Sequence, residues 1–493
     1  MSPRSSDRPL AVLVGVQLPT VSDTEHAADL AELGRLVHTL GYEVVATVSQ
    51  RRTRVAAGTV LGKGKLAELA QLTGGSGLVP TGARTRKSKA RERWEAQDED
   101  ATETPAPEGE VEADEVGDEA EEGEELEAEA DVEAEAVEAE EADEPGGDDD
   151  AYTGPPPTVV VVDHDLTPSQ LSNLERATGA QVLDRSGVIV DIFHRHARSR
   201  EARMQVEIAR LNYLAPRMRE STGGRERQQG RGSGDSAIEL DRRKIRDRLA
   251  ELREGIASIQ QDQAQRRYAR RDQLRVALVG YTNAGKSSLM RALTGSEVLV
   301  ADQLFATLDT TVRALQPETR PRILVSDTVG FIQKLPHDLV ASFRSTLDEA
   351  LEASLLLYVV DGSDPTWAAQ FEVTRSVLRE IGAQDVPSRL VFNKADRLAE
   401  GAREALLDKH PDARILSAHS PQDVAALRQE LIEHFERSMV EAELVIPYNR
   451  QGRVGEVYEN ARVIEETYDE EGRRMKIRAL PAAIARLTHA FGT

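Results

Sequence analysis

A strand followed at once by a phosphate-binding loop restricts the fold of this chain more than any other feature. Residues 274–279 (LRVALV) are typical of a buried strand, and the next eight residues, GYTNAGKS, match G-x-x-x-x-G-K-[ST]. Glycines let backbone N–H groups close around phosphates, Lys286 reaches the β- and γ-phosphates, and the Ser287 hydroxyl is a hard ligand for Mg²⁺. With a helix predicted at 288–293, the sequence predicts an α/β domain built around a P-loop.

An acidic residue at the end of a second predicted strand supplies the next element. The segment ILVS at 323–326 leads into DTVG at 327–330. We expect Asp327 to hold the Mg²⁺ shell and the Gly330 N–H to contact the γ-phosphate. The D-x-x-G pattern is weak alone, but in this order after a P-loop it is a strong signal.

A third predicted strand, at 390–392, ends in NKAD at 393–396, and this element selects the base. The Asp396 carboxylate can accept hydrogen bonds from N1–H and the 2-amino group of guanine, whereas adenine presents an acceptor at N1. The tripeptide at 417–419 follows a further strand pattern, where a loop can touch guanine O6. GTP is therefore favoured over ATP.

The segment between the P-loop and DTVG must supply a threonine that closes over Mg²⁺ in the GTP state. Residues 305–311 (FATLDTT) form a polar stretch with three candidates. These are Thr307, Thr310 and Thr311, and the pattern itself leaves the choice open.

The residue that orients the attacking water is not evident. Directly after Gly330, where Ras-like enzymes have a glutamine, this chain has Phe331. A phenyl ring cannot orient water, and Gln333 is the alternative.

Before the P-loop, alternating strand and helix patterns predict a second α/β domain. Residues 61–65 (LGKGK) open a further predicted helix. They lack the preceding strand and the spacing of a phosphate loop, so they are either a structural helix entry or a basic contact. The other predicted elements are strands at 10–16, 42–48, 159–162 and 188–192, and helices at 23–40 and 169–178, the latter capped by Thr167.

A charged insertion at 81–156 interrupts this domain. After a basic run, residues 98–150 hold 28 of the 86 acidic residues and no Lys or Arg. Like charges at this density repel, and no apolar face exists to fold against, so we predict disorder. The insertion either solvates the protein or acts as a nucleic-acid mimic or a mask for a basic surface. The chain carries −24, but outside 98–150 it has 62 basic against 58 acidic residues.

Apolar residues at three- and four-residue spacing predict two helices that form an antiparallel hairpin at 198–272. The loop at 221–235 holds five glycines, and residues 217–231 carry five arginines and two glutamates. That charge favours a phosphate-rich partner. The loop either contacts RNA or is a plain linker.

The chain has no cysteine, which excludes disulfides, thiol nucleophiles and cysteine-based metal sites. Its first apolar stretch, at 10–18, is too short to span a bilayer, and no cleavage site follows it. We expect a cytoplasmic monomer with no membrane span.

Together these segments resemble the HflX family of ribosome-associated, ribosome-splitting GTPases, in the Obg-related group of translational GTPases. The resemblance covers everything but the ends and the insertion. The segments that carry it are GYTNAGKSSL at 280–289, LFATLD at 304–309, DTVGFI at 327–332, DIF at 191–193, QVE at 205–207, LDRR at 240–243 and IPYN at 446–449.

The resemblance implies a P-loop GTPase domain, a mostly parallel sheet with helices on both faces, preceded by an α/β domain with a long helical hairpin and followed by a small α+β domain. It also implies binding to the large ribosomal subunit and its ribosomal RNA. Because Phe331 leaves the attacking water unpositioned, we expect GTP hydrolysis to be stimulated by the ribosome. The implied limits are 1–197 for the N-terminal domain, 198–272 for the hairpin, 273–438 for the GTPase domain and 439–493 for the C-terminal domain.

Site residues follow from the resemblance position by position. Ser287 and Thr307 become magnesium ligands, and Asp327 acts on the ion through water. The expected catalytic residues are Lys286, Thr307 and Gly330. The segments expected to contact GTP or GDP are Gly280, Tyr281, Thr282, Asn283, Ala284, Gly285, Lys286 and Ser287; Phe305, Ala306, Thr307, Leu308 and Asp309; Asp327, Thr328, Val329 and Gly330; Asn393, Lys394, Ala395 and Asp396; and Ser417, Ala418 and His419.

The chain departs from the family pattern in three places. Ser288 stands where threonine is common, the loop before residue 238 lacks the family's proline and glutamate, and the acidic insertion has no counterpart. Two other functions remain as alternatives: an ATP-dependent RNA-remodelling protein acting on ribosomal RNA, and a P-loop small-molecule kinase. NKAD argues against the kinase, because kinases of that class read their base by other means.

Overall fold

The structure is a computed structural model that describes residues 8–56, 58–79, 152, 154–221, 234–269, 273–295, 304–305, 311–335 and 344–491. The described residues form two compact units, one from the residues up to His26 with those of Glu43–Asp184, the other from Ala27–Tyr42 and the residues from Arg185 onwards. The acidic segment and residues 222–233 of the glycine-rich loop lie outside the described residues. The domain limits implied by the sequence stay a prediction.

The first unit contains a parallel sheet in the order β2-β1-β3-β4. Its apolar strands pack with helices on a core of valine and leucine, as expected for parallel strands that are covered by helices. The predicted helix cap is confirmed, because the Thr167 side chain accepts from Gln170 N and Gln170 reaches back to Thr167 N. The elements are β1 (Leu10–Gln17), α1 (Asp23–Thr39), of which Ala27 onwards belongs to the other unit, β2 (Glu43–Arg51), α2 (Lys63–Thr73), β3 (Val159–Val162), α3 (Pro168–Thr178) and β4 (Gln181–Asp184).

The predicted strand at 188–192 is wrong. These residues lie in the helix α4 (Arg185–His196), and the strand of this region is β4, which ends just before it. Eight of the first nine residues of α4 are buried. A helix buried on nearly all sides has the same apolar run as a buried strand, so periodicity cannot separate the two.

The two predicted hairpin helices are present as α5 (Arg200–Ser221) and α6 (Gly234–Ala269). The Arg248 guanidinium donates to both carboxylate oxygens of Glu207, at 2.8 and 3.1 Å. Earlier on α5, the Met204 side chain contacts the later residue Gly255 of α6. Contacts that run in opposite order along the two helices show that they are antiparallel.

The second unit also contains a sheet in the order β10-β9-β8-β5-β7-β6, in which β6 runs antiparallel to β7 and the other pairs are parallel. The carboxyl ends of β5, β7, β9 and β10 meet at one edge, where ligands bind in folds of this kind. The elements are β5 (Leu274–Val279), α7 (Lys286–Thr294), β6 (Thr311–Ala314), β7 (Ile323–Asp327), α8 (Arg344–Leu351), β8 (Leu355–Asp361), α9 (Trp367–Glu380), β9 (Ser388–Asn393), α10 (Ala402–Lys409), β10 (Arg414–Ile415) and α11 (Pro421–Glu436).

The last part of the chain forms an antiparallel sheet with helices beside it. Leu444, Met475 and Phe491 lie in its apolar core. None of the helices in the described part of the chain has the length and apolar character needed to cross a membrane. The elements are β11 (Val440–Ile446), α12 (Val454–Asn460), β12 (Arg462–Tyr468), β13 (Arg473–Ala479) and α13 (Pro481–Phe491), and the sheet order is β11-β13-β12.

Candidate nucleotide-binding site

The glycines of the P-loop are required by close contacts. A Cβ on Gly280 would lie 2.1 Å from the carbonyl oxygen of Val359, in the neighbouring strand β8. Gly285, at φ +92°, stands immediately before α7, and a Cβ there would lie 2.2 Å from Asn393 Nδ2. Only glycine fits positions with such contacts and positive φ, so the loop passes close to β8 and β9 at the ends of the sheet.

The Lys286 ammonium is buried between the P-loop and DTVG. Its Nζ donates to the carbonyl oxygens of Gly280 at 3.0 Å and Tyr281 at 2.8 Å. Burial lowers the pKa of Lys286 to about 8, and the nearby Asp327 carboxylate opposes that shift. A Cβ on Gly330 would lie 3.2 Å from Nζ, so the glycine of DTVG lies beside this cation.

Ser287 and Asp327 bring together two oxygen atoms of the kind that can ligate a metal ion. Ser287 Oγ donates to Asp327 Oδ2 at 2.7 Å, and Asp327 is fully buried at the end of β7. A hydroxyl and a carboxylate are ligands that Mg²⁺ prefers, so this donor set fits the predicted metal. Thr307, the other predicted ligand, lies outside the described residues, as do Ala306, Leu308, Asp309 and Thr310. Thr311 opens β6, opposite Asp327.

The backbone of Phe331, directly after DTVG, pairs with the P-loop. Its N–H donates to Gly280 O at 3.2 Å, and its carbonyl accepts from Thr282 N at 2.7 Å. The ring is buried in the apolar core beside β5. The hydroxyl of Thr328, the residue directly after Asp327, donates to Leu278 O at 2.7 Å. The ring of Phe331 is therefore part of the apolar core.

Asn393 joins the P-loop to the loop after β10. Its Nδ2 donates to Ala284 O at 2.9 Å, and its Oδ1 accepts from Ala418 N at 3.0 Å. The side chain is buried. These contacts hold NKAD beside the P-loop.

Asp396 is fixed by its neighbour Ser417, whose hydroxyl donates to Asp396 Oδ1 at 2.5 Å. That hydrogen bond is the chief reason that the pKa of Asp396 is lowered. The same Ser417 oxygen accepts from His419 N at 3.2 Å. The structure therefore presents an ionised, oriented acceptor for a base.

Lys394 pairs with a residue that the sequence patterns did not single out. Its Nζ lies 2.7 Å from Oδ2 of Asp361, the last residue of β8. Ser288 and Arg397 were also missed, although each is adjacent to a motif and lines the cleft between the P-loop and NKAD. The residues that line this cleft are Gly285, Ser288, Asn393, Lys394, Asp396, Arg397, Ser417, Ala418 and His419.

Two residues that were predicted to contact the nucleotide have side chains that contact other parts of the protein. The Phe305 ring packs on Phe193 of α4, with 4.4 Å between ring centroids. The Tyr281 hydroxyl donates to Glu32 Oε2 at 2.5 Å, on helix α1. The backbone of Tyr281 remains part of the P-loop.

Known proteins match this chain along most of its length. In chain order, the family models are GTP-binding GTPase N-terminal at residues 27–78 and 151–194, GTP-binding GTPase Middle Region at 196–270, and 50S ribosome-binding GTPase at 275–394. A GTP-binding protein of Sulfolobus solfataricus, crystallised with GDP, is 20% identical with a TM-score of 0.40, over 86% of this chain and 98% of that chain.

Curated relatives from several organisms carry the name GTPase HflX. The one from Gluconacetobacter diazotrophicus is 64% identical over 483 residues, which cover 98% of both chains. The one from Escherichia coli is 39% identical over 322 residues, which cover 64% of this chain and 75% of that protein. With this identity over almost the whole length, the chain belongs to the HflX family of GTPases.

Proposed function

We propose that this protein binds GTP with Mg²⁺, hydrolyses it to GDP and phosphate, and couples this cycle to binding the large ribosomal subunit and splitting ribosomes. The observation that carries the proposal is the meeting of Lys286, the Ser287–Asp327 pair and Asp396 at one edge of a sheet. Together they supply a cation for phosphates, oxygen ligands for a metal and an anionic acceptor for a base.

The phosphate end of the nucleotide faces the P-loop. Lys286 neutralises charge on the β- and γ-phosphates, and the Gly330 N–H donates to the γ-phosphate. Ser287 and Thr307 would ligate Mg²⁺, and Asp327 would act on the ion through water. When bound, the ion offsets negative charge that develops on the phosphate oxygens.

The base end faces NKAD. The ionised Asp396 accepts from N1–H and the 2-amino group of guanine, and the loop at 417–419 contacts O6. Adenine offers no such pair of donors. Equal displacement of labelled GDP by ATP and GTP would contradict this assignment and favour the ATP-dependent alternative.

Hydrolysis by the free protein is expected to be slow. Phe331 is 2% exposed and tied by its backbone to the P-loop, so the position after Gly330 offers no side chain for the attacking water. A partner that orders the water then accelerates the reaction. The ribosome is that partner in this proposal.

Support for a ribosomal partner comes from the match to a 50S ribosome-binding GTPase model at residues 275–394 and from relatives named GTPase HflX. In this proposal the protein acts as a cytoplasmic monomer with the domains 1–197, 198–272, 273–438 and 439–493. The hairpin within 198–272 carries the basic loop towards ribosomal RNA.

The decisive experiment combines sedimentation with single-turnover hydrolysis. The full chain is mixed with 50S and 70S particles, in GDP or in a non-hydrolysable GTP analogue. We expect the analogue to favour binding and splitting, and large subunits to raise the hydrolysis rate strongly. Equal hydrolysis with and without subunits, or no particle binding in either nucleotide, would contradict the proposal.

Lys286→Ala supplies the site-specific test, with Lys409→Ala as a control that removes an exposed lysine of α10. We expect the first change to abolish nucleotide-dependent activity and the second to leave it intact. Full activity in Lys286→Ala would remove the P-loop from the mechanism.

A further inference from the structure

We infer that Glu32 and Arg185, far from the nucleotide motifs in sequence, are positioning residues for GTP hydrolysis. They act through the Tyr281 hydroxyl, which holds the P-loop and the segment after Phe331 in one register. The inference rests on the proposed hydrolysis and adds residues of helices α1 and α4 to that site.

The Tyr281 oxygen is used in both directions. It donates to Glu32 Oε2 at 2.5 Å and accepts from Gln333 N at 2.8 Å. The Arg185 guanidinium donates to the other oxygen of Glu32. All three side chains are buried, with Arg185 1% exposed, Tyr281 4% and Glu32 5%.

The electrostatics keep the phenol a donor. Burial, and then the negative charge of Glu32, raise the pKa of Tyr281 far above its usual range, so the hydroxyl stays protonated. Burial also raises the pKa of Glu32, while Arg185 and the Tyr281 hydroxyl oppose that shift. The Arg185 cation and two hydrogen bonds therefore support a carboxylate in a buried place.

This network lies where the P-loop meets the segment that follows DTVG, and both are proposed to contact phosphates. The Tyr281 carbonyl accepts from Lys286 Nζ at 2.8 Å, so the residue that binds Glu32 also orients the P-loop cation. The Tyr281 backbone pairs with Phe331, and its hydroxyl reaches Gln333 two residues later. One side chain thus fixes both the P-loop and the exit of DTVG.

A second contact from α1 acts on the same exit segment. Asp29, three residues before Glu32 on the helix, pairs with Lys334 at 2.9 Å. Residues three apart share a helix face, so one turn of α1 holds both Gln333, through Tyr281, and Lys334. Lys334 has φ +54°, an uncommon conformation for a residue other than glycine.

Burying these polar groups has a cost that an apolar cluster of the same volume would avoid. A network that fixes the geometry of the nucleotide site would explain why these polar groups are buried despite that cost. If the network positions the γ-phosphate contacts, its loss acts on the GTP state more than on the GDP state, because GDP lacks that phosphate.

The test uses the full chain with Tyr281→Phe, which removes one oxygen, and Glu32→Ala, which removes its partner. The control is Tyr448→Phe, which removes an exposed hydroxyl that donates to Asp469 O at 2.8 Å, in the C-terminal part. We expect both test variants to lower single-turnover hydrolysis about tenfold, a barrier change of about 1.4 kcal/mol. The affinity for a non-hydrolysable GTP analogue, relative to that for GDP, should fall about tenfold as well. The control should match the unmodified protein.

A double variant distinguishes positioning from simple destabilisation. Because Glu32 acts through the Tyr281 hydroxyl, Tyr281→Phe with Glu32→Ala should be no slower than the slower of the two single variants. Glu32→Gln, which keeps an acceptor for the Tyr281 hydroxyl, should restore part of the rate. Additive losses, or GDP and analogue affinities that fall equally, would overturn the inference.

The design separates this inference from the proposed function. If the unmodified chain hydrolyses no GTP even with ribosomes, the proposed function fails, and the ratio of analogue to GDP affinity still decides the positioning role. If Glu32→Ala does not fold, Tyr281→Phe decides it. An unchanged rate and an unchanged ratio in Tyr281→Phe would overturn the inference.

Discussion

Gly330 lies against the backbone of Thr282: a Cβ at position 330 would fall 2.9 Å from Thr282 Cα and 2.8 Å from its Cγ2. The first of these atoms is main chain, so it cannot rotate aside as a flexible side chain can. The glycine of DTVG and the P-loop therefore fit together only without a side chain at position 330.

Gly330→Ala is expected to weaken the GTP state selectively. The added methyl group should displace DTVG from the P-loop and from Lys286, so the Gly330 N–H would lose its proposed contact with the γ-phosphate. We expect the affinity for a non-hydrolysable GTP analogue to fall at least about tenfold, or about 1.4 kcal/mol. GDP affinity should change much less. Fluorescence titration with labelled nucleotides measures both.

Gly455→Ala is the matched control, because a Cβ there meets nothing within 4 Å. It should bind both nucleotides as the unmodified protein does. Equal analogue affinity in Gly330→Ala and Gly455→Ala would contradict the contact argument.

Asp396→Asn should weaken guanine binding by more than about tenfold, since a charge-assisted bidentate contact contributes about 1.5–3 kcal/mol. The new amide offers a donor where the carboxylate offered an acceptor. A xanthine nucleotide, which has a carbonyl oxygen in place of the 2-amino group, should therefore bind this variant better than the unmodified protein. Competition against labelled GDP measures both changes.

The exposed residue Asp385 supplies the control for that experiment, as Asp385→Asn changes the net charge equally away from the cleft. Retained GDP affinity in Asp396→Asn, with no gain for the xanthine nucleotide, would remove the specificity argument.

The basic loop at 221–235 is expected to contact ribosomal RNA. Its arginines Arg225, Arg227 and Arg231 lie outside the described residues, so the prediction rests on their charge and on the glycine content around them. Replacing all three with Ala should weaken binding to the large subunit and flatten its salt dependence by about two to three units of log–log slope. Sedimentation across a salt series measures the slope.

GDP affinity should not change in the triple variant. The matched control replaces three exposed arginines with Ala. They are Arg291 of α7, Arg379 of α9 and Arg403 of α10. An unchanged slope with normal splitting in the loop variant would show that the loop is only a connector.

Deletion of residues 98–150 should leave folding and GTP binding intact. The segment has no apolar pattern to contribute to a core. Non-specific RNA binding should become stronger, because the remaining chain has 62 basic against 58 acidic residues in place of a net charge of −24. Thermal unfolding and filter binding to unrelated RNA check the two parts. Loss of folding, or weaker RNA binding, would indicate a structural or docking role.

Sequence patterns predicted the parts of the fold in which local chemistry and secondary structure agree. The P-loop and NKAD follow buried strands, because parallel strands end where phosphates and bases are bound. The cap at Thr167 followed from side-chain chemistry within four residues. The strand predicted at 188–192 was wrong because burial on nearly all sides removes the periodicity that distinguishes helix from strand.

The contacts around Tyr281 are beyond the reach of such patterns. Glu32 and Tyr281 are 249 residues apart, and a glutamate in an amphipathic helix is normally read as an exposed residue. Asp361 was missed for a related reason, since its role depends on Lys394, the residue directly after the next strand, β9. Side chains whose partners come from distant segments acquire a role only through tertiary packing.

The backbone pairing of Phe331 fastens the end of DTVG to the P-loop. Its N–H and carbonyl are both bound to the P-loop, and its ring is anchored in the core. Any movement of the chain after DTVG that accompanies nucleotide exchange must then break these hydrogen bonds or the contacts of Gln333 and Lys334 that follow them. The position that a glutamine occupies in Ras-like enzymes is therefore part of the apolar core here, and the group that orients the water has to come from another residue or from a partner.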